Sequence, residues 1–136
     1  MIQSILLNKI FLAGIIAWFI AQLLKFIIDG IKTKNFHPKM ILLPGKMPSS
    51  HTATIVAVAS MIYLFEGVSN LFMLAFFVSV IVMYDSMTSR RQIGIITAAL
   101  NETLKKKLRY FEGHTPLQVL AGIVIGIGVA WLIWIL

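Results

Sequence analysis

Four long apolar runs, at about residues 5–28, 50–65, 71–89 and 116–136, govern what this chain can fold into. A helix that crosses a bilayer needs roughly 20 such residues, and the second run is the short one. Hydrocarbon offers no water to the backbone, so each run must satisfy its own N–H and C=O groups, which a helix does within one segment. Composition agrees: 59% of the 136 residues are hydrophobic, 12% are charged and mean hydropathy is +0.91. A soluble domain carries about 25% charged residues to cover its surface. The first run is too long for the apolar core of a signal peptide, and its end carries Lys25 and Asp29 instead of a small-residue cleavage site. The expectation is one integral membrane domain over 1–136. It is all-α, a polytopic membrane helix bundle of about four transmembrane helices plus one interfacial amphipathic helix.

The net charge of +7 falls mainly in two connections. One, residues 30–47, holds Lys32, Lys34, Lys39 and Lys46, with Pro38 and Pro44 as helix breakers. The other, residues 90–113, holds Arg90, Arg91, Lys105, Lys106, Lys107 and Arg109. Basic loops between apolar spans suit lipid headgroups or a phosphorylated substrate better than nucleic acid. Within the second connection Ile93, Ile96, Leu100, Leu104 and Leu108 recur at helical spacing, which predicts an amphipathic helix lying in the interface. Four spans put both basic connections on one side, and the termini with the turn "EGVSN" (66–70) on the other. Short basic loops tend to stay cytoplasmic, so the basic side is expected there, with both termini outside; Lys9 weakly opposes this. Every polar cluster then gathers at one membrane face.

Three such clusters carry chemistry. In "GKMPSSHTAT", Ser49 or Ser50 can cap the second span, whose free N–H groups and partial positive charge favour an anion. Lys46 adds charge, and His51 lies in the first turn; a plain cap with a water-facing histidine is an equal alternative. In "YFEGHTPLQVLAG", Thr115, Pro116 and Gln118 fit the N-cap, N1 and N3 positions of a capping box. Gly113 frees the backbone before it, and His114 stands just outside the helix, where an imidazole can serve as nucleophile or acid–base group. In "MYDSMTSRRQ", Asp85 lies one turn inside the third span, where a carboxylate needs a partner. Arg90 and Arg91 follow, suited to phosphate oxygens or equally to a stop-transfer pair with Asp85 as ion-pair partner.

The first span adds Gln22, Lys25 and Asp29 on one helical face. Lys25 either snorkels to the surface or points into the bundle to hold an anion. Gly122, Gly126 and Ala130, four apart, allow close helix packing, within the bundle or between two copies. His37 stands alone in the first basic loop without an assigned role. The chain has no cysteine, which removes disulfides, thiolate metal sites and cysteine nucleophiles. No glycine-rich nucleotide loop, metal-ligand spacing or serine-hydrolase elbow appears, so no cofactor or metal is expected.

At "MPSSH", "YDSMTSRRQ" and "GHTPLQVLAG" the sequence resembles the divergent branch of the type 2 phosphatidic acid phosphatase superfamily, related to acid phosphatases and vanadium-dependent haloperoxidases. The likeness runs from "AQLLK" in the first span to "VLAG" in the fourth. It implies a metal-independent lipid-phosphate phosphatase that works through a phosphohistidine. By that resemblance His114 is the nucleophile and His51 the general acid. Ser49 and Ser50 line the phosphate pocket, and Lys25, Lys46, Arg90 and Arg91 hold its charge.

Three features depart from the wider superfamily. Ser50 replaces the glycine of its Pro-Ser-Gly-His motif. No arginine lies five residues before His114, since Arg91 is far upstream and Arg109 sits at another spacing. Gln118 stands where the superfamily has a carboxylate that orients the nucleophile. An amide orients an imidazole but does not stabilise imidazolium as a carboxylate does. Asp85 or Glu112 supplies that charge, or the carboxylate is only a cap that Gln118 replaces, or turnover is weak. With fewer spans than the wider superfamily, a homodimer that shields the open sides is expected. The alternative to a phosphatase is a non-catalytic protein that binds or transports phospholipid headgroups with the same pocket.

Overall fold

The computed structural model describes residues 8–34, 36, 47–105, 108 and 113–136. His37, Lys46, Arg109 and Glu112 lie outside them. The described residues form helices α1 (Lys9–Thr33), α2 (Ser50–Glu66), α3 (Asn70–Met87), α4 (Ser89–Leu104) and α5 (Pro116–Ile135), with no strand among them. The all-helical expectation holds. Among the described residues three stretches are long and apolar enough to cross a membrane: α1, the run from α3 into α4, and α5. At 17 residues, α2 is shorter than any of these.

Each start follows from a local cap. Asn8 accepts hydrogen bonds from the N–H groups of Ile10 and Phe11. Ser49 accepts from Thr52, and Ser69 from Phe72. Thr115 and Gln118 form the reciprocal capping box expected for α5. Such caps satisfy donors that the first helical turn leaves open. The α1 helix runs five residues past the expected end at 28, because nothing breaks it before Lys34 turns left-handed at φ 52°. Gln22, Lys25 and Asp29 therefore all sit on a continuous helix, and all three are buried.

α2 is the central post, packed on α1, α3 and α5. The contact is built from small residues. Ala13, Ala17 and Ala21 of α1 meet Ala53 and Ala57 of α2 and Ala130 of α5 in one cluster with Met61, Val129 and Ile133. Gly122 and Gly126 of α5 lie so close to α2 that an added Cβ would come within 2.6–2.7 Å of the Ser49 and Ala53 carbonyl oxygens. The small-residue stripe thus serves packing inside the bundle, where van der Waals contact drives helix association in lipid. Large apolar side chains such as Phe19, Leu74, Ile81 and Val124 point outward, as a lipid-facing surface requires.

Helix α4 is the expected amphipathic helix. It leaves α3 at Thr88, where φ −109° and ψ −85° break the helical path. Without that break the 35-residue run from Asn70 to Leu104 would rise about 52 Å against a hydrocarbon core of about 30 Å. Ile93, Ile96, Leu100 and Leu104 all face outward. The periodicity that extended to Leu108 overshoots, for the helix stops at Leu104. There the Asn101 carboxamide takes both backbone groups of Leu108, receiving its N–H at 2.7 Å and giving to its C=O at 2.9 Å. A side chain that bonds the backbone so well competes with helix continuation.

Candidate active site

At one end of the bundle four chain segments meet. Ser49, before α2, donates its N–H to the carbonyl of Gln118 in α5 at 3.1 Å. His114, before α5, donates its N–H to the carbonyl of Ser86 in α3 at 2.9 Å. These two bonds tie α2, α3 and α5 together, the second through a carbonyl in the last turn of α3, where a helix leaves acceptors open. The side chain of Ser49 is fully buried, accepting from the Thr52 N–H at 3.3 Å and the Thr52 hydroxyl at 2.9 Å. Ser50 is buried beside it, while His51 is exposed in the first turn of α2.

His114 is only 5% exposed, and its ring is held. Its Nδ1 lies 3.2 Å from Gln118 Oε1. The same oxygen accepts the Thr115 N–H at 3.0 Å. Because a backbone N–H can only donate, the atom that receives it must be the amide oxygen, an acceptor. His114 Nδ1 must then carry the hydrogen of this contact, which leaves Nε2 with its lone pair. Gln118 is at once a helix cap and an imidazole clamp; the two readings of the sequence are one device.

The charges around this ring come from separate elements. Burial pushes the His114 pKa below its ordinary 6.5 by disfavouring the imidazolium; the Gln118 hydrogen bond opposes this, while the charges of Lys25, His51 and Arg90 add to it. These three charges belong to α1, α2 and the start of α4. Lys25 is 2% exposed, one of the most buried side chains of the protein. It does not snorkel; it points into the bundle. Asp85 receives the Arg90 Nε at 2.7 Å, so its carboxylate serves Arg90. This is the local pairing weighed from the sequence.

Arg91 takes a different direction. With Gly113, Thr115 and Gln118 it lines a separate cavity of about 270 Å³ under α4. Neighbouring helical residues diverge by about 100°, so Arg90 and Arg91 leave α4 in different directions. Gly113 permits this arrangement, since a Cβ there would come 2.3 Å from the Arg91 backbone nitrogen. The Ser86 carbonyl, which anchors His114, had no signal in the sequence beyond its place in "YDSMTSRRQ". Gln22, one turn deeper than Lys25, is 9% exposed, and its Oε1 has no hydrogen-bond partner among the described residues.

The sequence profile of the Divergent PAP2 family matches residues 6–129. The chain belongs to that family. It is similar to a relative described as the uncharacterized membrane protein YuiD of Bacillus subtilis (strain 168). The two are 28% identical over 147 residues, covering 92% of this chain and 93% of that protein. No solved structure matches. The Divergent PAP2 match spans α1 through most of α5, and so every segment that meets at His114.

Proposed function

We propose that this protein is a membrane phosphatase that hydrolyses a lipid phosphomonoester or pyrophosphate. The observation that carries the reading is the clamped His114, whose bond to Gln118 leaves Nε2 free as a nucleophile. The family membership and the basic groups around that ring support it.

The reaction runs in two halves. The lone pair of His114 Nε2 forms a bond to phosphorus as the bond to the lipid oxygen breaks. Protonated His51 gives its proton to that leaving oxygen, releasing the lipid alcohol, or a shorter phosphate from a pyrophosphate. Neutral His51 then takes a proton from water. The resulting hydroxide attacks phosphorus, inorganic phosphate departs, and His114 is restored. Lys25 and Arg90 neutralise the phosphoryl oxygens, the main electrostatic demand of the transfer. Asp85 holds Arg90 through Nε, which leaves both terminal nitrogens of the guanidinium for phosphate. Ser49 and Ser50 form the floor at the start of α2. Arg91, whose backbone lies against Gly113 and which lines the cavity beside Gln118, is the second arginine offered to the phosphate. The site opens to the cytoplasmic face; tags at both termini, reactive only from outside, test that orientation.

The amide at 118 favours a second reading, a protein that binds the headgroup without cleaving it, because no carboxylate offsets the imidazolium. One experiment separates the two. Purified protein in mild detergent is offered a panel of lipid phosphates, and released phosphate is measured beside His114→Ala and His51→Ala. Hydrolysis by the wild type, abolished in the first variant and reduced about 10²–10⁴-fold in the second, supports the phosphatase. Equal release from wild type and His114→Ala removes it. Saturable binding without release favours the binder.

A further inference from the structure

The side of the bundle between α3 and α5 is open. Both helices pack on α2 but scarcely on each other. Three cavities of about 360, 300 and 370 Å³ follow one another along this gap. The first lies at the site end, between Met87 and Pro116, and shares Val80 and Ile123 with the second. The second shares Phe72 and Ile127 with the third, which ends at Trp131. Shared walls make the three one groove. From Phe72 to Met87 on α3, and from Pro116 to Trp131 on α5, its length is about 22 Å at 1.5 Å per residue.

We propose that this groove holds the hydrocarbon chain of the lipid phosphate whose headgroup meets His114. The substrate is then a lipid with at least one chain long enough to pass the bilayer midplane. This rests on the phosphatase reading for the headgroup, but the chain site stands on its own geometry. The site end of the groove is lined by chain neighbours of His114 and of the residues that hold it. Pro116 is two residues from His114, and Met87 adjoins Ser86, whose carbonyl accepts the His114 N–H. One leaflet of hydrocarbon is about 15 Å deep, half of a core of about 30 Å, so a groove of about 22 Å outruns it.

The walls favour a flexible chain over a helix from a second copy. Close helix docking in lipid wants small residues. α5 turns its Gly122 and Gly126 to α2 and presents Ile123 and Ile127 to the groove. α3 presents Phe72, Val80 and Met83, bulky or adaptable side chains that shape themselves to a thin ligand. The chain of a membrane lipid is already in an apolar medium, so the groove gains little from hydrophobic transfer. Its effect is orientation: a chain lying between α3 and α5 delivers the headgroup in register with Nε2.

The test uses the full chain in lipid nanodiscs. A long-chain alkyl phosphate carrying a diazirine near the chain end is photolysed with the wild type and with His114→Ala, and labelled peptides are identified. Label concentrated on the Phe72–Val80 and Ile123–Trp131 stretches in both proteins supports the chain site. Label spread evenly around the outer faces overturns it. Ile123→Trp fills the groove, and Val124→Trp places the same bulk at nearly the same depth on the lipid side, where Val124 is 66% exposed. The ratio of long-chain to soluble short-chain turnover falls about tenfold in the first relative to the second if the groove aligns the substrate. Equal ratios overturn the proposal. Because the chain has no cysteine, Ile123→Cys is a unique thiol; efficient disulfide formation between copies there assigns the groove to a second protomer and also overturns it. Absence of phosphate release from every substrate removes the phosphatase reading alone, since the labelling pattern still decides the chain site.

Discussion

Replacing Gly122 by alanine tests the contact on which the site depends. A Cβ at this position would lie 2.6 Å from the Ser49 carbonyl oxygen and 2.8 Å from Thr52 Cβ, where ordinary contact begins at 3.4 Å. Neither neighbour can swing aside. The Ser49 carbonyl accepts the Ala53 N–H at 3.0 Å and so starts the α2 ladder, and Thr52 is fixed by two bonds to the Ser49 side chain. The α5 helix must therefore back away by several tenths of an ångström. Overfilling a packed contact costs about 1–3 kcal/mol. The retreat also strains the Ser49 N–H bond to the Gln118 carbonyl, a bond of about 1 kcal/mol. The better helix propensity of alanine returns about 1 kcal/mol. The net loss is about 1–3 kcal/mol. Gly128→Ala is the matched control, because a Cβ there meets nothing within 4 Å and only the propensity gain remains. Tryptophan fluorescence during graded SDS addition in mixed micelles measures both. Gly122→Ala unfolds at lower SDS than the wild type, and Gly128→Ala at equal or higher SDS. Equal midpoints for the two variants would refute the argument that the α2–α5 contact is already filled.

Gln118→Glu keeps an acceptor for both Thr115 and His114 and adds a charge beside the imidazolium, so phosphate release rises; Gln118→Leu removes both bonds and lowers release at least about tenfold. Unchanged rates in both variants would show that the clamp has no part in turnover. Since burial lowers the His114 pKa, the folded ring stays neutral below pH 6.5 and loses its nucleophilic lone pair only as pH falls through the folded value. An isotope-edited NMR titration of His114 should give a midpoint below 6.5, and one at or above it refutes the burial argument. The same shift means that the unfolded chain binds the proton first, so stability also declines as pH falls from 6.5.

The architecture was written in features that act locally. Apolar runs fixed α1, α3 and α5, and the Thr115–Gln118 capping box appears as read, because a cap needs only residues three apart. The ends that moved did so for reasons a hydropathy window does not carry. The α1 helix runs on because nothing breaks it before Lys34, and its charged Lys25 and Asp29 are taken into the bundle. The α4 helix stops early because Asn101 finds Leu108 across a turn. The separation of Arg90 from Arg91 was available in principle from helix geometry, since adjacent residues point apart. What no pattern supplied is the Ser86 carbonyl: a backbone atom has no residue type, so its partner His114 is visible only in three dimensions.

One dimension of α2 bears on how a substrate is met. Seventeen helical residues rise about 26 Å, several ångström less than the oily slab they stand in. Its neighbours α1 and α5, at 25 and 20 residues, are longer, so at least one end of α2 lies inside the depth that they cross. On the phosphatase reading proposed above, a headgroup meeting such an end stays near the depth of its own leaflet, and the lipid need not be lifted toward water.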